Sequence, residues 1–275
     1  MNSKEAQALF VKYSNSVAYV EVEKSNGDLG IGTCFHVGEG IFITAKHVVE
    51  NVKILDVKLT EPVAISTEEY FRDVLKSDVT DEYIAEYNKT VGDVLKATPK
   101  FKYHLNSLSI SEGPFFHKDE RVDLAAFKVE SIHNSAGIAK LGIHYDDWVL
   151  RDVWNLSEAI ILGYPPIPMV NEPVLVSSKA EIHTFVFPRH SPQLHFLLSA
   201  TPRGGFSGGV AIHENGAVLG VITSSLVENN LPEQNGFFAV LSIEPIIKFL
   251  EDFNIMPKIQ KQYQNEQLGF EMNEL

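Results

Sequence analysis

Gly205-Phe206-Ser207-Gly208-Gly209 closes a polar loop and runs into the apolar segment Val210-Ala211-Ile212. A serine flanked by three glycines is the setting a nucleophilic hydroxyl needs. Glycine lets the backbone turn so that N–H groups converge beside the serine oxygen. Two such donors stabilise the oxyanion that forms when a serine attacks a carbonyl. A chain that works this way must also supply a base and a carboxylate.

The base candidate is His47, in Gly40-Ile41-Phe42-Ile43-Thr44-Ala45-Lys46-His47-Val48-Val49, where a β-rich apolar run ends and the histidine stands at its lip. The carboxylate candidate is Asp123, in Arg121-Val122-Asp123-Leu124-Ala125-Ala126-Phe127. An acid just before so apolar a segment is costly unless something accepts its charge. A histidine N–H does so, fixing the ring's tautomer and steadying the imidazolium. An aspartate there could instead cap its own turn. His36 is the nearest rival base, but it lies within an alternating strand, which suits packing or the surface.

The order His47, Asp123, Ser207 and these three contexts resemble the trypsin-like serine peptidases, with the closest match to the HtrA-like bacterial branch. Ile160-Ile161-Leu162-Gly163-Tyr164-Pro165, Gly220-Val221-Ile222-Thr223-Ser224 and Asn235-Gly236-Phe237-Phe238-Ala239-Val240 match as well, so the resemblance runs from about Gly30 to about Phe253. It implies an all-β fold of two six-stranded antiparallel barrels, with Ser207 as nucleophile, His47 as general base and Asp123 orienting it. By the same resemblance the N–H groups of Gly205 and Ser207 form the oxyanion hole, with Gly204 easing the turn. Thr223 falls where a hydroxyl helps hold the carboxylate. Thr201 falls at the base of the specificity pocket, and its lack of charge disfavours cleavage after lysine or arginine. Thr223, Ser224 and Ser225 form a wall on which an extended peptide pairs as an added strand. Phe206 departs from the pattern. Secreted trypsins have an aspartate there that pairs with a new amino terminus, and phenylalanine cannot. It either packs between loops or holds the oxyanion loop in an inactive shape.

At 275 residues the chain fits one two-barrel unit. Its hydrophobic content of 44% supports a real core, and no apolar run approaches a membrane span. The start, Met1-Asn2-Ser3-Lys4-Glu5, does not read as a secretory signal. The one cysteine, Cys34, excludes an intrachain disulfide, has no neighbour at metal-ligand spacing, and suits a reducing compartment. A net charge of −13 argues against nucleic acid or an anionic membrane as partner. Neither a Walker loop nor a dinucleotide fingerprint is present, and the chemistry calls for no cofactor and no metal.

The expected organisation is a single peptidase unit over 1–275. A short amphipathic helix over Ser3–Tyr13 presents Ala6, Leu9, Phe10 and Tyr13 on one side. The first barrel spans about 14–130, with an Asn26-Gly27 hairpin turn and a helical hairpin inserted over 66–96. Ser66-Thr67-Glu68-Glu69 reads as a capping box for its first helix, and Ile84, Tyr87 and Val91 mark the face of its second. The second barrel spans about 131–241. A helix over 242–254 buries Ile246, Ile247, Phe249 and Leu250, and a polar tail, 255–275, replaces the peptide-binding PDZ domain found at this point in HtrA-like proteins. The expected function is that of a cytoplasmic, bacterial serine endopeptidase acting on a protein or peptide, restrained by a regulatory partner or by oligomerisation. The alternative is a binding module that kept the barrels and lost the chemistry.

Overall fold

The structure is a computed structural model that describes residues 1–65, 69, 80–90, 100–133, 136–142, 146–150, 154–201, 203–223 and 237–274. The chain divides into two compact units, one made of 1–59 and 107–275, the other of 60–106.

In the larger unit, helix α1 (Ser3–Tyr13) covers the predicted residues, and Asn2 caps it by accepting from the N–H groups of Lys4 and Glu5. Strands β1 (Val17–Glu23), β2 (Leu29–Gly38) and β3 (Ile41–Thr44) follow, with the turn after β1 at the predicted Asn26-Gly27. The one-turn helix α2 (Lys46–Val49) leads to β4 (Lys53–Ile65), which runs on into the smaller unit. There the described part of the predicted helical hairpin is α3 (Asp81–Thr90). The capping box of the first helix, apart from Glu69, lies outside the described residues. After β5 (Lys100–Ser107) come β6 (Ile110–Phe116) and β7 (Ala125–Val129). The second half carries α4 (Asp146–Val149), β8 (Glu158–Gly163), β9 (Val176–Val186), β10 (His195–Leu198), β11 (Val210–His213), β12 (Val218–Ile222) and β13 (Phe238–Ser242). Helices α5 (Ile243–Asp252) and α6 (Lys258–Glu274) complete it.

The expectation of two closed six-stranded barrels is corrected for the first half. Strands β8–β13 do close, in the order β10-β13-β12-β11-β8-β9. The first half is instead an open seven-stranded sheet ordered β5-β4-β1-β2-β3-β7-β6. Two physical reasons are visible. Strand β4 is thirteen residues long and has β5 on its far side, so its outer edge is already paired. The opposite edge, β6, contains Pro114, which has no N–H to offer a further strand.

Successive residues of a strand face opposite ways, and here both faces are covered. In β1, Val17 and Tyr19 join a central core shared by the two halves, while Ala18, Val20 and Val22 join the core of the first sheet. In β8, Ile160 and Leu162 face the central core, while Ala159 and Ile161 fill the closed barrel. This is why these strands read as unbroken apolar runs.

Helix α5 buries Ile246, Ile247, Phe249 and Leu250 as predicted. The tail is more than a polar extension. Gln260 of α6 is fully buried, and its amide nitrogen donates to the carbonyls of Val37 (2.6 Å) and Ala139 (2.9 Å). Its amide oxygen accepts from the Leu141 N–H at 3.1 Å. One side chain thus joins the tail to β2 and to the segment that connects the two halves.

Candidate active site

His47 sits on α2, directly after β3. Its Nδ1 lies 2.8 Å from Asp123 Oδ2, and its backbone N–H donates to Asp123 Oδ1 at 3.0 Å. Both carboxylate oxygens therefore meet the same residue. Asp123 is held between Val122 and Leu124, each fully buried. With Nδ1 facing a carboxylate, the ring proton sits there, and Nε2 is left with its lone pair.

The nucleophile loop belongs to the closed barrel and reaches the first sheet through Thr33. The Thr33 N–H donates to the Ser207 carbonyl at 2.9 Å, and its hydroxyl donates to the Gly205 carbonyl at 2.6 Å. The same hydroxyl accepts from the Tyr164 N–H at 2.9 Å. Three bonds from one fully buried threonine thus fix the backbone around the serine. Gly205 and Gly208 have φ of +88° and +83°. A Cβ at Gly205 would come within 2.5 Å of the Tyr164 carbonyl oxygen, and one at Gly208 within 2.0 Å of the Thr33 carbonyl oxygen. Only glycine fits at either place.

Phe206 resolves in favour of packing. It is 5% exposed, belongs to the barrel core, and meets the Phe238 ring edge to face at 6.0 Å. Its ring also lies against Gly163, where a Cβ would approach Phe206 Cδ1 to 2.8 Å.

His47, Ser207, Gly205 and Thr223 line one cavity of about 370 Å³. Among the described residues, the N–H groups of Gly205 and Ser207 donate to no protein acceptor, whereas that of Gly208 is taken by the Ile222 carbonyl at 2.7 Å. Two unspent donors beside a serine hydroxyl are suited to receive a developing oxyanion.

The remaining sites differ from expectation. Thr223 lines the cavity, but its hydroxyl points to the Ala239 carbonyl (3.5 Å) rather than to the Asp123 carboxylate. Thr201 does not line the cavity and is exposed. β10 ends at Leu198, so Thr201 lies three residues past that strand, while Ile222 and Phe238 are among the described residues that line the cavity. Ser224 and Ser225 lie outside the described residues.

His36 packs as expected. It is buried, with Nδ1 at 2.7 Å from the Gly137 carbonyl and Nε2 accepting from the Gly40 N–H at 3.2 Å. The partners assign the neutral Nδ1–H form, and burial holds its pKa below the usual 6.5. The Cys34 thiol is fully buried and pushed well up by desolvation, which makes it inert. Thr33 was not anticipated as a site residue. The only trace in the sequence is a hydroxyl placed beside Gly32 in an otherwise apolar strand.

A family model described as trypsin-like peptidase domain matches residues 32–221. The chain belongs to the trypsin-like peptidase family. Among solved structures, the HtrA-type protease AlgW with tripeptide superposes with a TM-score of 0.54 at 11% identity, over 90% of this chain and 63% of that one. This chain therefore spans less than two thirds of the AlgW chain. The active form of the Rv3671c protease from M. tuberculosis gives 0.54 at 15% identity, covering 91% of this chain and 86% of that one. Its inactive form gives 0.52 at 16%, over 92% and 96%. These identities speak for a shared fold alone. A search of curated proteins found no match. The described residues of the peptidase contain no PDZ domain, no helix long and apolar enough to cross a membrane, and no cluster of metal-ligating side chains.

Proposed function

We propose that peptide bonds are hydrolysed through an acyl-enzyme on Ser207. The substrate carbonyl enters the cavity, and His47 Nε2 takes the Ser207 proton as the hydroxyl attacks. Asp123 keeps the imidazole proton on Nδ1 and balances the imidazolium that forms. Negative charge develops on the carbonyl oxygen, within reach of the N–H groups of Gly205 and Ser207. His47 then passes its proton to the departing amine. Water enters by the same route in reverse and frees Ser207. No metal or redox group is called on.

The observation that carries this reading is the double hold of Asp123 on His47, in a cavity that Ser207 also lines. The alternative of a silent binding module rested on a nucleophile loop deformed by Phe206, and the packing of that ring gives it no support. A fluorophosphonate probe tests the proposal. Labelling of the wild-type chain that disappears in Ser207→Ala supports it, and labelling that persists in Ser207→Ala contradicts it.

We further propose a reducing compartment such as the cytoplasm, because a single cysteine, Cys34, allows no intrachain disulfide. The unit formed by 60–106 is the place we propose for a regulatory partner, since it is compact by itself and carries none of the catalytic residues.

A further inference from the structure

The cavity holding Ser207 is framed by two cations. Lys24, just after β1, lines it together with Val22, Gly30 and Ile31. Arg203, in the nucleophile loop, lines it as well. Both are exposed, and no aspartate or glutamate is among the described lining residues. This runs against the composition, in which 36 acids outnumber 23 bases.

Neighbouring cations are already committed. Lys46 pairs with Glu50 at 3.2 Å, Lys53 reaches Glu23 at 3.8 Å and Lys58 reaches Asp56 at 3.2 Å. Lys24 and Arg203 have no ion-pair partner among the described residues. The Lys24 stem lies across the bare backbone of Gly30, its Cε 3.5 Å from where a Cβ there would stand. An ammonium carried on that stem stays hydrated and mobile, ready for a charge brought by a ligand.

The position of these cations assigns the part of the substrate they meet. On the proposed mechanism the acyl portion lies along Thr223. Lys24 and Arg203 line the cavity in which the scissile carbonyl is attacked, so the residues of an extended peptide nearest the cleaved bond, about 3.3 Å apart, come closest to them. We infer that the enzyme prefers substrates with acidic side chains within three residues of the cleaved bond. A local positive spot on an otherwise acidic surface also concentrates such segments at the cleft.

The inference rests on the peptidase reading, and the test separates the two. Peptides with the same residue before the scissile bond, and Glu, Ala or Lys in the other positions within three residues of it, are compared at low ionic strength by mass spectrometry. Each exposed ion pair contributes up to about fivefold, so kcat/KM for the Glu series should exceed that for the Lys series by roughly 20-fold. The gap should narrow severalfold in about 0.5 M salt. Lys24→Glu and Arg203→Glu should each shrink it about fivefold or more, while Lys118→Glu, at a surface cation paired with Asp252, should leave the ranking as it is. Fluorophosphonate labelling of every variant reports separately on the nucleophile. Equal cleavage of the three series, an unchanged ranking in both cleft variants, or acidic peptides left uncut by labelled enzyme overturns the inference and leaves the peptidase reading standing. Absent labelling in the wild type overturns the peptidase reading, and the inference falls with it.

Discussion

The two halves of the larger unit hold the proposed catalytic groups in different ways. The closed barrel presents Ser207 on a loop with almost no freedom: Gly205, Gly208 and Gly209 have no room for a side chain, Phe206 is sunk in the core, and Thr33 ties the backbone. The open sheet presents His47 and Asp123 more loosely. Their side chains are 43% and 23% exposed, and two hydrogen bonds join them. The lesson is a division of labour. The oxyanion site must be preorganised, because its donors act on charge that exists only in the transition state. The base must move a proton and let substrate pass, so it needs orientation more than burial.

That contrast predicts that changes on the sheet side cost activity alone, whereas changes on the barrel side cost stability as well. The largest effect on turnover is expected from Asp123→Asn. It should lower kcat by about 10⁴-fold by favouring the wrong imidazole tautomer, with the melting temperature nearly unchanged. Steady-state kinetics with parallel calorimetry decides this, and a large drop in melting temperature would break the comparison. Gly205→Ala follows. It should lower kcat by about 10²–10³-fold and also destabilise the fold, since a Cβ would meet the backbone of Tyr164 and Pro165 and the ring of Pro166. Phe206→Ala should cost about 3–5 kcal/mol in denaturant unfolding through the cavity it leaves. A loss under 1 kcal/mol would show that the barrel side is as loosely held as the sheet side.

The smallest effect lies away from the cleft and sharpens the comparison. Asp146 accepts from the Ser242 hydroxyl at 2.7 Å, and burial raises its pKa from 3.8 to about 6. A carboxyl raised on folding binds its proton more tightly in the native state. Its contribution to stability is therefore full below about pH 4 and lost as pH rises through about 6. Between those values the wild type should lose stability relative to Asp146→Asn, with the difference flat above pH 7 (measured by urea midpoints across pH). Activity at pH 8 should be the same in both, because Asp146 does not line the cleft.

Much of the candidate site was legible because the residues proposed for it sit in local patterns. His47 ends a strand, Asp123 begins one, and Ser207 lies in a glycine turn, so each could be read from its neighbours. Helix α1 and helix α5 were legible from periodicity for the same reason. What was not legible depends on distant pairing. Thr33 acts through a bond to a residue 172 positions away, and Gln260 docks the tail on carbonyls more than 100 positions back. The open first sheet follows from the length of β4 and from which strand it pairs with, neither of which composition reveals. Thr201, placed by a fixed offset from Ser207, lies beyond the point where β10 stops.

The proposed convergence of Ser207 with the paired His47 and Asp123 is tested most directly by a crystal structure of the protein treated with a peptidyl phosphonate. The account predicts phosphorus bonded to Ser207 Oγ and one phosphonyl oxygen within hydrogen-bond distance of the Gly205 and Ser207 N–H groups. It also predicts His47 Nε2 beside the adduct. An adduct on another residue, or one on Ser207 with its oxygen turned away from both N–H groups, would contradict it.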